Sequence, residues 1–250
     1  MELRHNLFFS GTSGLVLPIR QRDFPAEYAG TSRLTYYASL FNSIEINSSF
    51  YKLPKGATVA KWGESVPPDF RFTFKVSKCI THNKGLEFSA ADVEAFMHTV
   101  SHIGDRKGCL LLQLPPSRTS ECIYQIEHLV LTLKDLDPNG SWQLAIEFRN
   151  NSWYNRATYE LLRRYEVSMV VHDMPASATP VLQSYGPVLY LRFHGEEGRY
   201  RGGYGDVQLE ETGGLINKFM STGTPVYAYF NNTMGDAVNN LAGLNALISR

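Results

Sequence analysis

Three short apolar runs carry polar residues two positions apart: Glu45 and Asn47 in SIEINS, Glu147 and Arg149 in LAIEFR, and Arg192 and His194 in LRFHG. A fourth run, SMVVHD, ends on His172 and Asp173. Strand side chains alternate between faces, so a two-residue step places both members on one face. Two carboxylates held close together can trade protons, because each raises the other's pKa. A histidine titrates near neutral pH and serves as acid or base. Arginine and lysine bind phosphate or carboxylate, arginine through a two-pronged fork. Lys75 and Gln113 close two further runs, and Asn231 closes another. Together these types suit acid–base chemistry on a small anionic molecule.

Such residues need elements to position them. Eight runs read as strands: 7–11, 43–51, 71–76, 108–115, 143–150, 168–173, 187–195 and 225–232. Each is rich in β-branched or aromatic residues and is bounded by Gly, Pro, Asn or Asp. Helical periodicity lies between most of them. Residues 25–41 carry Leu34, Tyr37, Ala38 and Phe41 on one face. Ser89 caps a helix over 90–103 in the expected reading, with Asp92 completing a capping-box pattern. Further helices are expected at 120–136, 155–166 and 236–249. Residues 174–186 are too short and proline-rich for a good crossover helix, and 195–206 read as a polar loop. Strands alternating with helices imply a parallel sheet. A length of 250 residues suits one (β/α)8 TIM-like barrel over 1–250, with an irregular crossover between strands six and seven. An open dinucleotide-binding sheet is the competing architecture, but SGTSG after the first strand is not GxGxxG.

Alternation then sorts the faces. Ile44 and Ile46, Phe72 and Phe74, Leu110, Leu112 and Leu114, Leu144, Ile146 and Phe148, Leu189, Leu191 and Phe193, and Val226, Ala228 and Phe230 pack outward against helices. The polar set points inward, at the C-terminal mouth where barrel enzymes place their sites. Each polar residue also has a structural reading. Glu147–Arg149 can be a buried salt bridge, and Arg192 can merely neutralise Glu45 or Glu147. His194 can cap its strand, His172–Asp173 can be a loop-entry pair, and Lys75 can reach for solvent. Gln113 and Asn47 suit orienting roles.

Composition weighs against some partners without excluding a local basic pocket. Basic and acidic residues balance at 24 each, which argues against broad binding to nucleic acid or an anionic membrane. Cys79, Cys109 and Cys122 form no CxxC pair and are odd in number, which argues against a disulfide framework or a cysteine zinc site. MELRHNLFFSG lacks a signal-peptide apolar run, and no stretch approaches the roughly 18 apolar residues of a membrane span. A cytoplasmic location is expected.

FNSIEINSSFYKLP at 41–54, WGESVPPDFRFTFKVSKCITH at 62–82, LLLQLPPS at 111–118, AIEFRNNSW at 145–153, YLRFHG at 190–195, Tyr200–Gly202–Tyr204 and VYAYFNNTMGDAVNNLAGL at 226–244 resemble the DUF72 (YecE-like) family. That resemblance implies a TIM-like barrel and brings no established activity. The positions it carries over as site residues are Glu45, Asn47, Lys75, Gln113, Glu147, Arg149, His172, Asp173, Arg192, His194, Tyr204, Asn231 and Asn232.

Three readings of the mouth follow. In the first, an enzyme acts on a small phosphate- or carboxylate-bearing substrate. Lys75, Arg149 and Arg192 bind the anion, with Asn47, Gln113, Tyr204, Asn231 and Asn232 as further contacts. Glu45, Glu147, His172, Asp173 or His194 moves the proton, and no cofactor is called for. In the second, Glu45, Glu147, His172, Asp173 and His194 ligate a divalent metal for hydrolysis, against the repulsion of two arginines and a lysine. In the third, the mouth binds a nucleotide, nucleic-acid end or sugar without turnover, aided by Arg199, Tyr200, Arg201 and Tyr204. Residues 196–206 are expected to form a lid, hinged at Gly202, Gly203 and Gly205.

Overall fold

The computed structural model describes residues 7–248. Met1–Asn6 and the last residue of the helix expected to reach 249 lie outside that span. The strands are β1 (Phe8–Thr12), β2 (Ser43–Ile46), β3 (Arg71–Lys75), β4 (Lys107–Gln113), β5 (Gln143–Glu147), β6 (Ser168–His172), β7 (Leu189–Phe193) and β8 (Val226–Phe230). They form an eight-stranded parallel sheet in the order β1-β8-β7-β6-β5-β4-β3-β2. The helices are α1 (Arg33–Leu40), α2 (Ser48–Tyr51), α3 (Gly56–Glu64), α4 (Lys78–Thr81), α5 (Ala90–Ser101), α6 (Ile123–Asp135), α7 (Arg156–Arg164), α8 (Asp206–Ser221) and α9 (Ala237–Ile248). This is the (β/α)8 barrel.

The barrel closes between β1 and β2 through one backbone bridge and several side chains. One bridge joins Ser13 to Glu45, and the Gly14 amide donates to the Glu45 carbonyl at 2.7 Å. Elsewhere along the seam, Asn42 bonds the Ser10 amide and the Phe8 carbonyl, both at 2.8 Å. The Tyr37 hydroxyl accepts from the Thr12 amide at 2.7 Å and donates to the Ser43 carbonyl at 3.1 Å. These side chains supply the partners that a backbone ladder would otherwise provide. Gly11 permits the close approach, since a Cβ there would sit 1.9 Å from the Ser43 carbonyl oxygen. Gly11→Ala is therefore expected to cost about 1–3 kcal/mol, the usual range for forced overpacking, measured as a lowered urea midpoint.

Alternation sorted the two faces as expected. The outward residues of the strands join the main apolar core beneath the helices. Inside, Cys109, Leu111, Ala145, Val170, Val188, Tyr190, Tyr227 and Tyr229 form a second apolar cluster that floors the barrel. The Tyr229 hydroxyl meets Ser43 Oγ at 2.6 Å and Thr73 Oγ1 at 2.8 Å, and the polar layer begins above it.

Several boundaries differ from expectation. β2 stops at Ile46, and the chain turns at once into α2, where Ser49 Oγ donates to the carbonyls of Ile46 (2.9 Å) and Lys75 (2.7 Å). The helix expected over 25–41 is reduced to α1, because Gly30 sits at φ +80° and Ser32 caps the helix by accepting from the Thr35 amide. Ser89 occupies the N-cap of α5 without a side-chain bond, so the expected capping box does not form. Helices α3 and α8 were not expected. The irregular crossover between β6 and β7 is present. Residues 179–185 run beside β6, with Thr179 bonded to Val170 and His172 and the Met169 amide donating to the Tyr185 carbonyl.

Candidate active site

Glu45, Glu147 and Arg192 rise from β2, β5 and β7 into the barrel and are fully buried or nearly so. Arg192 forks onto Glu45, with Nε 2.9 Å from Oε2 and Nη2 2.7 Å from Oε1. Its Nη1 donates to Glu147 Oε2 at 2.5 Å. Arg149 Nε, just beyond the end of β5, donates to the other Glu147 oxygen. Below, the Tyr190 hydroxyl donates to Glu45 Oε2 at 2.6 Å. Burial works to raise the Glu147 carboxyl, but Arg192 and Arg149 override it and hold the group well below the usual carboxylate range. Glu45 is lowered in the same way against burial, chiefly by Arg192. The two structural readings raised for these residues are thus combined, since Arg192 neutralises both carboxylates and Glu147–Arg149 is a buried salt bridge.

The network continues to the rim. Arg149 Nη2 lies 2.8 Å from His194 Nε2, and His194 Nδ1 lies 3.1 Å from Asp173 Oδ1. An arginine can only donate and a carboxylate can only accept, so His194 carries its proton on Nδ1 and is neutral. Burial lowers its pKa, which agrees with that form. Asp173 accepts a second bond from the Tyr204 hydroxyl, which itself accepts from the Gly195 amide at 2.7 Å. Burial opposes ionisation of Asp173, yet the bonds from His194 and Tyr204 keep its pKa below the ordinary carboxylate value. Its side chain remains about a third exposed, so its carboxylate reaches the mouth.

His172 is committed to the backbone. Its Nε2 donates to the Phe148 carbonyl at 2.8 Å and its Nδ1 accepts from the Met174 amide at 3.3 Å. Burial pushes it down to a pKa of about 4.

Lys75 stands apart from the ion network. Its Nζ donates to Gln113 Oε1 at 2.6 Å and lies 4.2 Å from the centre of the Phe50 ring. Among the described residues no carboxylate comes within 4.0 Å of it, unlike Arg149 and Arg192. Burial, with repulsion from Arg192, lowers its pKa to about 8. Asn47 presents a buried Oδ1 without a hydrogen-bond partner among the described residues. Asn231 is partly exposed at the end of β8, and its amide donates to the Phe193 carbonyl. Asn232 is buried and turned toward the loop, donating to the Gly202 carbonyl at 2.9 Å and lying 3.3 Å from Asn240 Oδ1.

The loop at 196–206 covers His194, with the Tyr200 ring 5.7 Å away, edge-on. It is tied to the β8–α9 connection, because the Met234 and Asp236 amides donate to the carbonyls of Tyr200 and Gly202. Within the loop, Gly202 is a turn at φ +76° and Gly205 occupies the N-cap of α8.

Sequence reasoning missed four neighbours. Tyr190 lies on the inward face but reads as an apolar strand residue. Phe50, expected at the end of the strand over 43–51, lies instead in α2, and His82 follows α4 in a segment with no strand or helix signal; their ring centres are 4.8 Å apart. Tyr154, whose hydroxyl donates to the Ser177 carbonyl at 2.6 Å, pins the crossover loop beside His172. Among the described residues no three His, Cys, Asp or Glu side chains converge as a metal site, and Glu45 and Glu147 are taken up by arginine.

The family model described as "Protein of unknown function DUF72" matches residues 2–250. UPF0759 protein YecE of Escherichia coli K12 is 30% identical over 131 residues, 52% of this chain and 46% of that protein, so the match spans about half of that relative. UPF0759 protein YunF of Bacillus subtilis 168 is 26% identical over 248 residues, covering 87% of this chain and 86% of that one. A DUF72 family protein from Enterococcus faecalis V583 superposes with a TM-score of 0.79 at 22% identity, over 97% of this chain and 96% of that one. A second, from Thermotoga maritima MSB8, gives 0.77 at 23% identity, over 98% and 100%. At these identities the structural likeness is one of fold.

Proposed function

The chain belongs to the DUF72 family, and from that premise we propose that it is an enzyme of acid–base chemistry acting on a small phosphate- or carboxylate-bearing molecule at the C-terminal mouth of the barrel. The observation that carries this reading is Lys75, a partly buried amine in the mouth with no carboxylate partner among the described residues. An uncompensated cation in such a place is costly unless an anion arrives to meet it. Arg149 stands nearby as the second anchor, with Asn47, Gln113 and Asn231 to orient the rest of the ligand. Asp173 is the proton-exchanging group at the rim, positioned by His194 and Tyr204. Glu45, Glu147 and Arg192 are the frame that fixes Arg149, and His172 and Asn232 fix the adjoining backbone. No helix among the described residues is long and apolar enough to cross a membrane.

The test is a thermal-shift screen with phosphorylated sugars, nucleotides and organic acids, followed by turnover assays on each hit. A ligand at 100 times its Kd stabilises by about 2.7 kcal/mol, or roughly 5–10 °C for a chain of this size. Arg149→Met is expected to abolish that shift, and Asp173→Asn to lower turnover by about 10²–10⁴-fold with binding retained. Binding without turnover of any hit would favour a non-catalytic binder, and a shift that survives Arg149→Met would remove the anchor.

A further inference from the structure

We propose that Lys75 is a nucleophile whose Nζ condenses with an aldehyde or ketone carbonyl of the anionic substrate to form an imine. This rests on the reading of the mouth given above and narrows its substrate class to anionic carbonyl compounds. An amine nucleophile needs a lone pair, an open approach and no carboxylate holding its proton in place. Lys75 meets these conditions through its surroundings. It leaves the C-terminal end of β3 partly exposed, lies over Phe50 at 4.2 Å, and gives one hydrogen bond, at 2.6 Å, to a neutral amide oxygen of Gln113. That oxygen accepts from an ammonium or from a neutral amine, so this hydrogen bond persists, though weaker, when the proton is lost.

The groups that face Lys75 come from several strands. Arg192 on β7 and Arg149 beyond β5 disfavour its charged form, while Glu147 on β5 and Glu45 on β2 favour it. Both carboxylates are already spent on arginine. His82, in contact with Phe50, is held neutral by burial and by Lys75 itself, with its pKa lowered to about 4. Burial decides the balance and brings the lysine to a pKa of about 8. At pH 7.4 roughly a fifth of such amines are unprotonated, against about a thousandth for a lysine in water.

The step balances as follows. The neutral amine adds its lone pair to the carbonyl carbon, and the π pair moves to oxygen. One N–H proton passes to that oxygen, giving a carbinolamine. The hydroxyl then leaves as water on taking one further proton, and the nitrogen lone pair forms the C=N bond of a protonated imine. The net reaction is amine plus carbonyl plus one proton, giving iminium plus water. The cation that results draws electrons from the neighbouring carbon, which suits bond-making and bond-breaking beside a carbonyl. Arg149 is left to hold the substrate's anionic group.

Pyridoxal 5′-phosphate and glyoxylate, one aldehyde bearing phosphate and one bearing carboxylate, are the probes. The whole protein is incubated with each at pH 7.5, reduced with borohydride, digested and mapped by mass spectrometry. The expected result is an adduct on the Lys75 peptide at least tenfold above any other lysine peptide, with labelling that rises with pH through a midpoint near 8. Pyridoxine 5′-phosphate, which has the phosphate and no aldehyde, is expected to protect Lys75, and Lys75→Arg to abolish that adduct alone. Should this variant not fold, the map of the unaltered protein still decides. Labelling spread evenly over surface lysines, or none at Lys75 with either aldehyde, overturns the imine. If pyridoxine 5′-phosphate or inorganic phosphate nonetheless raises the Tm in an Arg149-dependent way, the anion site stands without it. If neither stabilises the protein and Lys75 is unlabelled, both readings fall.

Discussion

Arg192→Met is expected to lower folding stability by about 3–5 kcal/mol at pH 7, the range for breaking a buried ion pair from one side. Removing the guanidinium leaves Glu45 with no cationic partner among the described residues, still bonded by the Tyr190 hydroxyl, and leaves Glu147 paired with Arg149. Both carboxylates would then sit fully buried with burial no longer overridden, and their pKa values would rise. The sign of the pH dependence follows. In the unaltered protein these carboxylates are held below 4.5, so their contribution is present above that value and is lost as pH falls through the lowered folded pKa. In the variant they take up protons at higher pH, so the deficit relative to the unaltered protein narrows toward pH 4–5. Urea unfolding at pH 7.5 and pH 5 measures this. The double variant Glu45→Gln, Arg192→Met is expected to recover part of the loss, because the remaining buried carboxylate, Glu147, keeps Arg149 as its ion-pair partner. A deficit under about 1 kcal/mol, or one that does not change with pH, would show that the frame is solvated.

The outlines of this frame are legible in the sequence because a strand's period is two. One apolar face and one polar face, repeated over strand after strand, leave few ways to fold a chain of this length, and the barrel follows. What alternation does not reveal is how the inward residues divide among themselves. Glu147 and Arg149 read as a salt bridge or, the preferred reading, as part of a site, and in the structure they pair with each other while the arginine also reaches His194. His172 and His194 look alike in sequence, each ending a strand. One is spent on the Phe148 carbonyl and the Met174 amide, and the other joins Arg149 to Asp173. That division depends on loops, whose backbone groups carry no sequence period. The unforeseen helices have a similar cause. Gly213 and Gly214 interrupt the apolar pattern of α8. Helix α3 is only nine residues long, so its periodicity has too few repeats to stand out. The β1–β2 seam was not visible because Asn42 and Tyr37 make it with side chains at unrelated positions.

The second large effect is expected in mild acid. His172 is buried and neutral, with its pKa lowered to about 4 by burial and by Arg149 and His194, against the opposing pull of Glu147 and the Phe148 carbonyl. The unfolded chain binds a proton on this ring from pH 6.5 downward while the folded protein does not. Stability is therefore unaffected above 6.5 and falls as pH drops from 6.5 to 4, by about 3 kcal/mol in total from this one group. His194 is lowered too and adds a loss of the same sign. Glu45, Glu147 and Asp173 are silent over most of that window, since each is held below its ordinary carboxylate value. The histidines thus account for the first part of acid unfolding and the carboxylates for the part below 4.5. Chemical denaturation at half-unit steps from pH 7.5 to 4 reads the slope. His172→Gln keeps a donor for the Phe148 carbonyl and removes the titration. It is expected to be less stable than the unaltered protein at pH 7.5 and to lose about 3 kcal/mol less between pH 6.5 and 4. An unchanged slope would mean that His172 is protonated in the fold, with both ring nitrogens donating. The Met174 amide, which now donates to Nδ1, would then have to turn away, and the crossover loop that Tyr154 pins beside it would have to move.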